Sequence, residues 1–578
     1  MKNWLKQIII LYLIIVIIKI ALAYFIPAPS AFSDNYGFAK DARNFFYHGS
    51  FMIHNIVSTR PPLYSAILSI SYIFKDMNFV YFFMKVINAL VSSLIIFPAW
   101  LLSREFFNKK KTTLLTIMIA VLPAHFSFTF FLMTENLFYP LFLFSIYFIY
   151  KSFVEESYKW DILAGIFIGL AYLTKIHALI LPLAVIFVFL FKLFKKDWKE
   201  IGKKIIMAFF FLITISPLLI KNGLIFGWNK YLLFGAYGEH LERTIDAVSG
   251  NTFSFFLLFF FWFIFYLGYL MMASGFIFFV ANFLAFKNYN NEKAFIFSIL
   301  SFLSVILLVF LAARHSKVGI SEYQTIFSNL IGNARIIGRY VEVVIPLILI
   351  NGLLGFKYLQ KKSKIYIIPL IILVFSSQLV FFQLFPINNM SLAWLGVLKF
   401  IFDSLLYKKI IFESVFSHLS SIIFLVLLVA LFLFTIYLQR KVQIKKLLYI
   451  FIIFFSLVSL LNFMIIYYNS YTYWYTSESM QLGMWFNKYD PQISTVLFDK
   501  RDGCKIYKKD QTCIYNPFKT NSSATVIGFW MNDDIKIGSV DNLENIDYVV
   551  SKHKLDLPLL KETNSEIFLY QVPKEDIL

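Results

Sequence analysis

The main pattern along the 578-residue chain is a series of apolar runs separated by short polar segments. A helix needs about 20 apolar residues to cross roughly 30 Å of hydrocarbon. Runs of this length recur from Ile8 to beyond Tyr467, and they predict about thirteen membrane-spanning helices. The pattern therefore indicates a polytopic α-helical membrane protein.

Basic residues indicate which ends of the predicted spans face the same side. Lys and Arg cluster between alternate spans, as the positive-inside rule expects of cytoplasmic loops. With the amino terminus inside, every strong cluster falls inside and the segment after the last span falls outside. The clusters occupy 104–111, 192–204, 287–293, 357–364 and 440–446.

The first apolar run has two interpretations. Lys2 and Lys6 precede it, and Ala21-Leu22-Ala23 resembles the cleavage site of a signal peptide. The run continues through Tyr24-Phe25-Ile26, which is longer than a usual signal core, so an uncleaved anchor is favoured. Both interpretations place the next segment outside.

After residue 467 the apolar runs give way to short mixed segments. We expect a transmembrane domain over 1–467, with its first outer loop at about 27–62, and a small extracytoplasmic α/β domain over 468–578. An amphipathic helix is predicted over Ser477–Lys488, and strands are predicted at Thr495–Leu497, Ala524–Trp530, Ile546–Val550 and Ile567–Val572.

Composition and charge change the picture in one respect. The chain is 59% hydrophobic and 15% charged, as a membrane protein would be, but its formal net charge of +20 could suggest a nucleic-acid partner. Nucleic-acid binding requires the cations to share one face of a folded domain. Here they are divided among the loops, so we expect membrane lipids and no nucleic acid. Cys504 and Cys513 either form a local disulfide or stay as free thiols.

Ionisable residues at the edge of the bilayer are the first candidates for chemistry, because charge is costly there. The first outer segment holds several before a rigid Pro-Pro pair, which fits a preorganised pocket. The alternative is that its first acid only caps a helix and that its Asp-x-Arg pair is a solvated face. The candidates are Asp34, Tyr36, Asp41, Arg43 and Arg60.

A second acid, Glu135, lies in a very short predicted outer turn between two spans. The predicted topology places it on the same side as Asp34. Two acids that converge on one outer cavity fit acid/base catalysis or a divalent metal. The alternative is that Glu135 caps the helix that follows Thr134.

Cations are also predicted on this outer side. Arg forks and Lys point charges bind phosphate diesters, so these residues are candidate binders of a lipid phosphate. The alternatives are snorkelling to lipid headgroups and, for the histidine, an ordinary interfacial position. The residues are Lys175, His177, Arg335, Arg339 and Tyr340.

The order of these motifs resembles that of GT-C glycosyltransferases, in particular the protein O-mannosyltransferase and lipid A aminoarabinose transferase superfamily. The resemblance covers most of the membrane region. It rests on Ser33-Asp34-Asn35-Tyr36, Ala42-Arg43-Asn44, His48-Gly49, Arg60-Pro61-Pro62-Leu63-Tyr64, Thr134-Glu135-Asn136-Leu137-Phe138-Tyr139-Pro140, Leu173-Thr174-Lys175, and Arg339-Tyr340 with Pro346.

The resemblance implies an inverting transfer of a sugar, a hexose or pentose, from a polyprenyl-phosphate carrier such as dolichyl-phosphate mannose. It implies that Asp34 is the catalytic carboxylate, that Glu135 is the second acid, and that Arg60, Lys175 and Arg339 bind the carrier phosphate. Asn35 stands where the family often has another acid, so a divalent metal cofactor stays open. The acceptor, whether lipid, glycan or protein, is not specified.

The alternative function is a transporter or flippase of lipid-linked sugars. Transporters usually carry polar groups near the bilayer midplane, often in two repeated halves. This sequence has no evident internal repeat, and its candidate residues fall at one face. The pattern favours an enzyme at the membrane surface.

Overall fold

The computed structural model describes residues 3–30, 32–54, 56–58, 60–194, 200–229, 231–234, 252–318, 336–359, 363–383, 393–408, 410, 418–506, 513–515 and 523–573. Helices dominate up to residue 475. In chain order the α-helices are α1 (Asn3–Tyr24), α2 (Phe32–His48), α3 (Leu63–Leu68), α4 (Met77–Ser93), α5 (Ile96–Arg104), α6 (Lys109–Ala120), α7 (Pro123–Ser127), α8 (Glu135–Val154), α9 (Tyr158–Thr174), α10 (Ile180–Phe194), α11 (Glu200–Phe226), α12 (Tyr231–Phe234), α13 (Thr252–Ala273), α14 (Ile277–Leu284), α15 (Glu292–Val318), α16 (Ile345–Leu359), α17 (Ile367–Gln383), α18 (Trp394–Tyr407), α19 (His418–Lys441), α20 (Ile444–Asn469), α21 (Glu478–Tyr489) and α22 (Ser523–Phe529).

Ten helices among the described residues are long and apolar enough to cross a membrane. The count is eleven if the bent pair Lys109–Ala120 and Pro123–Phe130, with 54° between its halves, is one span. From the sequence, one span is predicted to run from Leu114 to Phe131, and the structure places a bend within it. Pro123 lacks an amide hydrogen and starts a new helix there. The multi-span helical fold is confirmed, whereas the number of about thirteen spans is not.

The chain divides into two compact units. The first comprises Met1–Ile17, Leu90–Phe128 and Thr134–Met464. The second comprises Ile18–Ala89, Thr129–Met133 and Ile465–Leu578, so it joins the first outer segment to the carboxyl-terminal region.

Small residues let helices of the first unit approach closely, as is common between membrane helices. A Cβ atom on Gly165 of α9 would lie 2.3 Å from the Met207 carbonyl oxygen of α11. A Cβ atom on Gly355 of α16 would lie 1.9 Å from the Ala281 carbonyl oxygen of α14. These contacts fix α9, which ends next to Lys175, and α16, which follows the 3-10 turn that holds Arg339.

The second unit contains a five-stranded sheet. Its strands are β3 (Thr495–Asp499), β6 (Asp534–Gly538), β7 (Tyr548–Ser551), β8 (Leu559–Glu562) and β9 (Phe568–Gln571), in the order β6-β3-β7-β9-β8. The two pairs of β3 are parallel and the other two pairs are antiparallel. The small α/β carboxyl-terminal fold is confirmed.

The Ser477–Lys488 helix prediction is confirmed as α21, with the Ser477 hydroxyl oxygen accepting the Met480 amide hydrogen at 3.4 Å. The strand prediction for Ala524–Trp530 is wrong, because this segment forms α22. A short apolar run buried on all sides gives no periodicity that separates a strand from a helix. Gly483 and Gly528 bring α22 close to α21 and to Tyr36 of α2.

Two small hairpins complete the second unit. The strands β1 (Met52–Ile53) and β2 (Ile56–Val57) follow α2 in the first outer segment. The strands β4 (Cys504–Ile506) and β5 (Cys513–Tyr515) pair with Cys504 opposite Tyr515 and Cys513 opposite Ile506. The side chains of both cysteines lie outside the described atoms, so both the local disulfide and the free thiols stay predictions.

Candidate active site

A buried carboxylate in contact with two cations forms the candidate site of the first unit. Glu135 is the first residue of α8, and its side chain is fully buried. Its Oε1 atom lies 2.6 Å from Lys175 Nζ and 3.8 Å from Arg339 Nε. The Thr134 hydroxyl donates to its Oε2 atom at 3.1 Å. We call Glu135, Lys175 and Arg339 the Glu135 cluster.

The local backbone explains how the two cations reach one carboxylate. The chain leaves helical geometry at Lys175, between α9 and a short 3-10 helix at Ile176–Leu179. Arg339 lies in a 3-10 turn at Gly338–Tyr340, and its carbonyl oxygen accepts the Tyr139 hydroxyl at 3.2 Å. Both cations are therefore on irregular segments anchored by the long helices.

The Glu135 cluster carries unequal charge. Among the described residues, two cations contact one carboxylate, and both cationic side chains are only 11% exposed. A phosphate diester carries one negative charge and accepts hydrogen bonds from both kinds of cation. The cluster is thus suited to an anionic phosphate group.

Tyr340 connects the cations to two histidines. Its ring centroid lies 5.1 Å from Lys175 Nζ and 4.5 Å from the ring centroid of His177. Its hydroxyl lies 3.4 Å from His315 Nε2. The aromatic face supports the Lys175 ammonium group beside the carboxylate.

His177 is 5% exposed, and neither of its ring nitrogens has a hydrogen-bond partner among the described residues. Buried polar atoms are normally hydrogen-bonded, since an unmade bond costs about 1–3 kcal/mol. The interpretation of His177 as a satisfied interfacial histidine therefore finds no support in this geometry. The His177 ring lies 4.5 Å from the ring of Tyr340, which itself borders Lys175 of the Glu135 cluster.

Sequence reasoning missed another buried acid of this unit, Glu342. Glu342 is fully buried, and its Oε1 atom accepts the Tyr269 hydroxyl at 2.6 Å. Its carbonyl oxygen lies 3.5 Å from His125 Nε2. Glu135 was selected as an acid in a short turn at the edge of the bilayer, and an acid next to the apolar run that begins at Val343 would have pointed to Glu342 in the same way.

In the second unit, Asp34 lies half-buried in the first turn of α2. It is the third residue of the helix, so its negative charge interacts favourably with the positive end of the helix dipole, but it does not occupy the N-cap position. Next to it, the side-chain oxygen of Asn35 accepts the Leu132 amide hydrogen. The Tyr36 hydroxyl is hydrogen-bonded to His54 Nε2 at 2.8 Å, and burial lowers the pKa of His54 to about 4.

Arg60 packs against α2 where Gly37 makes room for it. A Cβ atom on Gly37 would lie 1.6 Å from Arg60 Nη1. The guanidinium lies 4.0 Å from the Asp41 Oδ2 atom and 5.1 Å from the ring centroid of Phe38. The Ser58 hydroxyl donates to the same Asp41 oxygen at 2.8 Å. Asp41 thus positions Arg60.

Arg43 is fully buried against the carboxyl-terminal region. Its Nη1 atom lies 2.5 Å from Asp534 Oδ1, and its Nη2 atom donates to the Asn532 carbonyl oxygen at 3.4 Å. One turn earlier, the buried Lys40 donates to the Met531 carbonyl oxygen at 2.7 Å. The idea that Asp41 and Arg43 form a solvated face is wrong, because the fold buries both. Arg43 joins α2 to the carboxyl-terminal sheet.

Burial perturbs the titrating groups around this contact. Burial, together with the nearby Arg43, lowers the pKa of Lys40 to about 7. Burial raises the pKa of Asp533 to about 7. Burial alone would also raise the pKa of Asp534, but Arg43 and His48 hold it below its usual value.

The structure brings Glu135, Lys175, His177, Arg339 and Tyr340 together, and separately brings Asp41 to Arg60. Asp34 and Glu135 belong to different units, so their convergence stays a prediction. Arg335 lies outside the described residues. Across the described part of the chain, no group of three or more His, Cys, Asp or Glu is arranged to hold a metal ion.

The chain is similar to solved structures over nearly its whole length. It matches ArnT from Cupriavidus metallidurans bound to undecaprenyl phosphate with a TM-score of 0.57 and 11% identity, covering 98% of both chains. It matches the apo state of that protein with a TM-score of 0.54 and 10% identity, covering 98% of this chain and 97% of the other. The chain has a GT-C glycosyltransferase fold.

The sequence comparison agrees with this fold. Residues 59–220 match the dolichyl-phosphate-mannose-protein mannosyltransferase family. No curated protein matches the chain by sequence. The predicted GT-C fold is confirmed, and the chain is a multi-pass membrane protein.

Proposed function

We propose that this chain is a membrane glycosyltransferase that moves a sugar from a polyprenyl-phosphate carrier to an acceptor at the outer face. The observation that carries the proposal is the Glu135 cluster, a buried site in which two cations contact one carboxylate. It lies beside His177, whose ring nitrogens have no hydrogen-bond partner among the described residues. The GT-C fold and the family match over 59–220 support it. One similar structure, ArnT, is bound to undecaprenyl phosphate.

In the proposed reaction, Lys175 and Arg339 bind the carrier phosphate, and Tyr340 and His177 line its site. The acceptor hydroxyl attacks the anomeric carbon while the bond from that carbon to the phosphate oxygen breaks, so the configuration inverts. Asp34 accepts the hydroxyl proton, and the electron pair leaves with the lipid phosphate. Fixed cations stabilise the negative charge on the departing phosphate.

Glu135 has a distinct proposed role. Without ligand it neutralises part of the charge of Lys175 and Arg339, because two adjacent buried cations without a counterion would be strongly unfavourable. When the carrier phosphate binds, it shares the two cations with Glu135. The carboxylate then keeps both cations in place for the developing charge.

The remaining parts of the proposal concern the first outer loop and the topology. Arg60, held by Asp41, is a further ligand of the carrier phosphate, and Tyr36 lines the loop. The amino terminus is cytoplasmic, and the domain over 468–578 is extracytoplasmic. The excess of Lys and Arg between alternate spans supports this orientation.

The test uses the purified full chain in lipid nanodiscs with a labelled polyprenyl-phosphate hexose or pentose. Lipid, glycan and protein acceptors are supplied in parallel. The Asp34→Asn variant is expected to lose about 10²–10⁴-fold in transfer rate while it still binds the donor. Asp541→Asn, which changes an exposed carboxylate, is the matched control.

Undiminished transfer by Asp34→Asn would remove Asp34 from the mechanism. The flippase alternative is examined with the native chain in sealed vesicles. Movement of the labelled donor between leaflets, with no transfer to any supplied acceptor, would contradict the proposed enzyme.

A further inference from the structure

A cavity of about 750 Å³ lies at the ends of several helices of the first unit. Four lysines line it, and each comes from a different helix, namely α6, α15, α16 and α20. Its volume falls within the range of small-molecule sites. The lysines are Lys111, Lys293, Lys357 and Lys445.

These four ammonium groups have no carboxylate within ion-pair distance in the described part of the chain. Glu105 also lines the cavity, but it contacts Lys151 at 2.7 Å. Four lysines against one glutamate leave an excess of three positive charges around one cavity.

A neighbouring cavity of about 540 Å³ shows the opposite arrangement. It shares Lys293 with the first cavity, and its other lysines are neutralised. Lys192 contacts Glu292 at 2.8 Å, and Lys203 contacts Glu200 at 3.2 Å. Both cavities lie at helix ends and are lined by lysines. Lys192 and Lys203 of the second cavity pair with carboxylates, whereas the lysines of the first cavity form no ion pair among the described residues.

Helix direction places these lysines on one side of the membrane. They lie near the start of α6, α15 and α20 and near the end of α16, in four of the loops predicted to be cytoplasmic. The positive-inside rule explains why these loops are basic. It does not explain why lysines from four different helices line one cavity.

We propose that this lysine cavity binds the phosphate-bearing headgroup of an anionic phospholipid from the cytoplasmic leaflet. The amide side chains of Asn291 and Gln443 line the same cavity and can hydrogen-bond the glycerol or phosphate oxygens. Basic pockets between membrane helices are suited to such headgroups. The site is separate from the Glu135 cluster and does not depend on the proposed transfer reaction.

The experiment titrates phosphatidylglycerol or phosphatidylcholine into the purified full chain in detergent, and native mass spectrometry measures the bound lipid. The test variant carries Lys111→Gln, Lys293→Gln, Lys357→Gln and Lys445→Gln. The control variant carries Lys109→Gln, Lys110→Gln, Lys441→Gln and Lys446→Gln. The control removes equal charge from exposed lysines in two of these four loops, at positions that do not line the cavity.

We expect the native chain and the control to hold phosphatidylglycerol more tightly than phosphatidylcholine. The test variant should bind phosphatidylglycerol at least about tenfold more weakly, since each lysine near anionic lipid contributes roughly fivefold. Equal loss in the test and control variants would overturn the proposal, because loop charge alone would then explain binding.

Two further measurements use the native chain, so they do not depend on whether the variant folds. The first distinguishes a lipid headgroup from free phosphate as the ligand, and the second tests whether binding is electrostatic. Displacement of the lipid by inorganic phosphate at equal concentration would overturn its assignment as a lipid site. In the native chain, added sodium chloride should release phosphatidylglycerol steeply. Retention that does not change with salt would contradict binding by the lysines.

Discussion

Two buried ionic clusters of the first unit differ in the balance of their charges. The Glu135 cluster has two cations and one carboxylate. The second cluster, here called the Asp161 cluster, consists of Asp161, Glu200, Lys203 and Lys204 and has two of each. Its Lys204 contacts Asp161 at 2.8 Å and Glu200 at 3.2 Å, and Lys203 contacts Glu200 at 3.2 Å.

The difference separates an ionic structural contact from a candidate binding site. Buried charges are tolerated when they are paired, so a balanced cluster needs no further ligand. An excess buried cation is stable only if something else supplies negative charge. The unsatisfied nitrogens of His177 lie beside the unbalanced cluster, which strengthens the distinction.

Within this comparison, the largest effect is expected when the carboxylate of Glu135 or that of Asp161 is removed. Glu135→Gln should lower the transfer rate by about 100-fold. It should also destabilise the chain by about 3 kcal/mol, because two buried cations lose their counterion. Asp161→Asn should cost similar stability and leave transfer unchanged. Transfer assays and thermal unfolding in detergent measure both quantities.

Ligand rescue makes this comparison sharper. Added polyprenyl phosphate should restore the unfolding midpoint of Glu135→Gln, since the phosphate binds only the folded chain and supplies the missing charge. It should not restore Asp161→Asn. Equal rescue of both variants would show that the two clusters do not differ as we propose.

Removing one lysine from each cluster should affect donor affinity in only one case. Lys175→Gln loses a charge-assisted hydrogen bond to the carrier phosphate, which is worth about 1.5–3 kcal/mol. The KM for the donor should therefore rise by roughly 10–100-fold, with a smaller change in kcat. Lys204→Gln is the control. A KM effect of the same size in both variants would argue against a phosphate site at Lys175.

Replacing His177 should have a smaller effect, which lowers the transfer rate but raises the stability of the chain. His177→Phe removes two buried nitrogens that lack partners in the described structure, so the free chain should gain about 1 kcal/mol. Transfer should fall by about tenfold, because a contact to the ligand is lost. Loss of stability in His177→Phe would show that this histidine has a structural role.

The smallest effect is expected for the ion pair between Arg43 and Asp534 of the second unit, which is partly exposed. Burial would raise the pKa of Asp534, but Arg43 lowers it below the usual Asp value. The pair therefore stabilises the fold at any pH above the usual Asp pKa, and this contribution is lost as the pH falls through the lowered pKa. With Asp534 36% exposed, about 1 kcal/mol is expected. Unfolding of the native chain and Asp534→Asn should differ at pH 6 and converge below about pH 4.

The carboxyl-terminal region shows where sequence patterns were sufficient and where they failed. Its amphipathic helix and three of its strands follow from hydrophobic periodicity, which depends on neighbouring residues. The segment 524–530 was misassigned as a strand because its apolar residues are buried by α2 and α21, which are distant in sequence. Hydrophobic periodicity along the chain does not show burial by elements that are distant in sequence.

By itself the sequence determined that the chain is a multi-pass membrane protein with a GT-C-like arrangement, and it named Glu135, Lys175 and Arg339. Run length and residue type are local properties, and the bilayer constrains both strongly. Only the tertiary structure decided which charges meet. It joined Glu135 to cations 40 and 204 positions away and assigned Arg43 to Asp534. Ion pairing depends on distance and burial in space, and neither quantity is encoded by spacing along the chain.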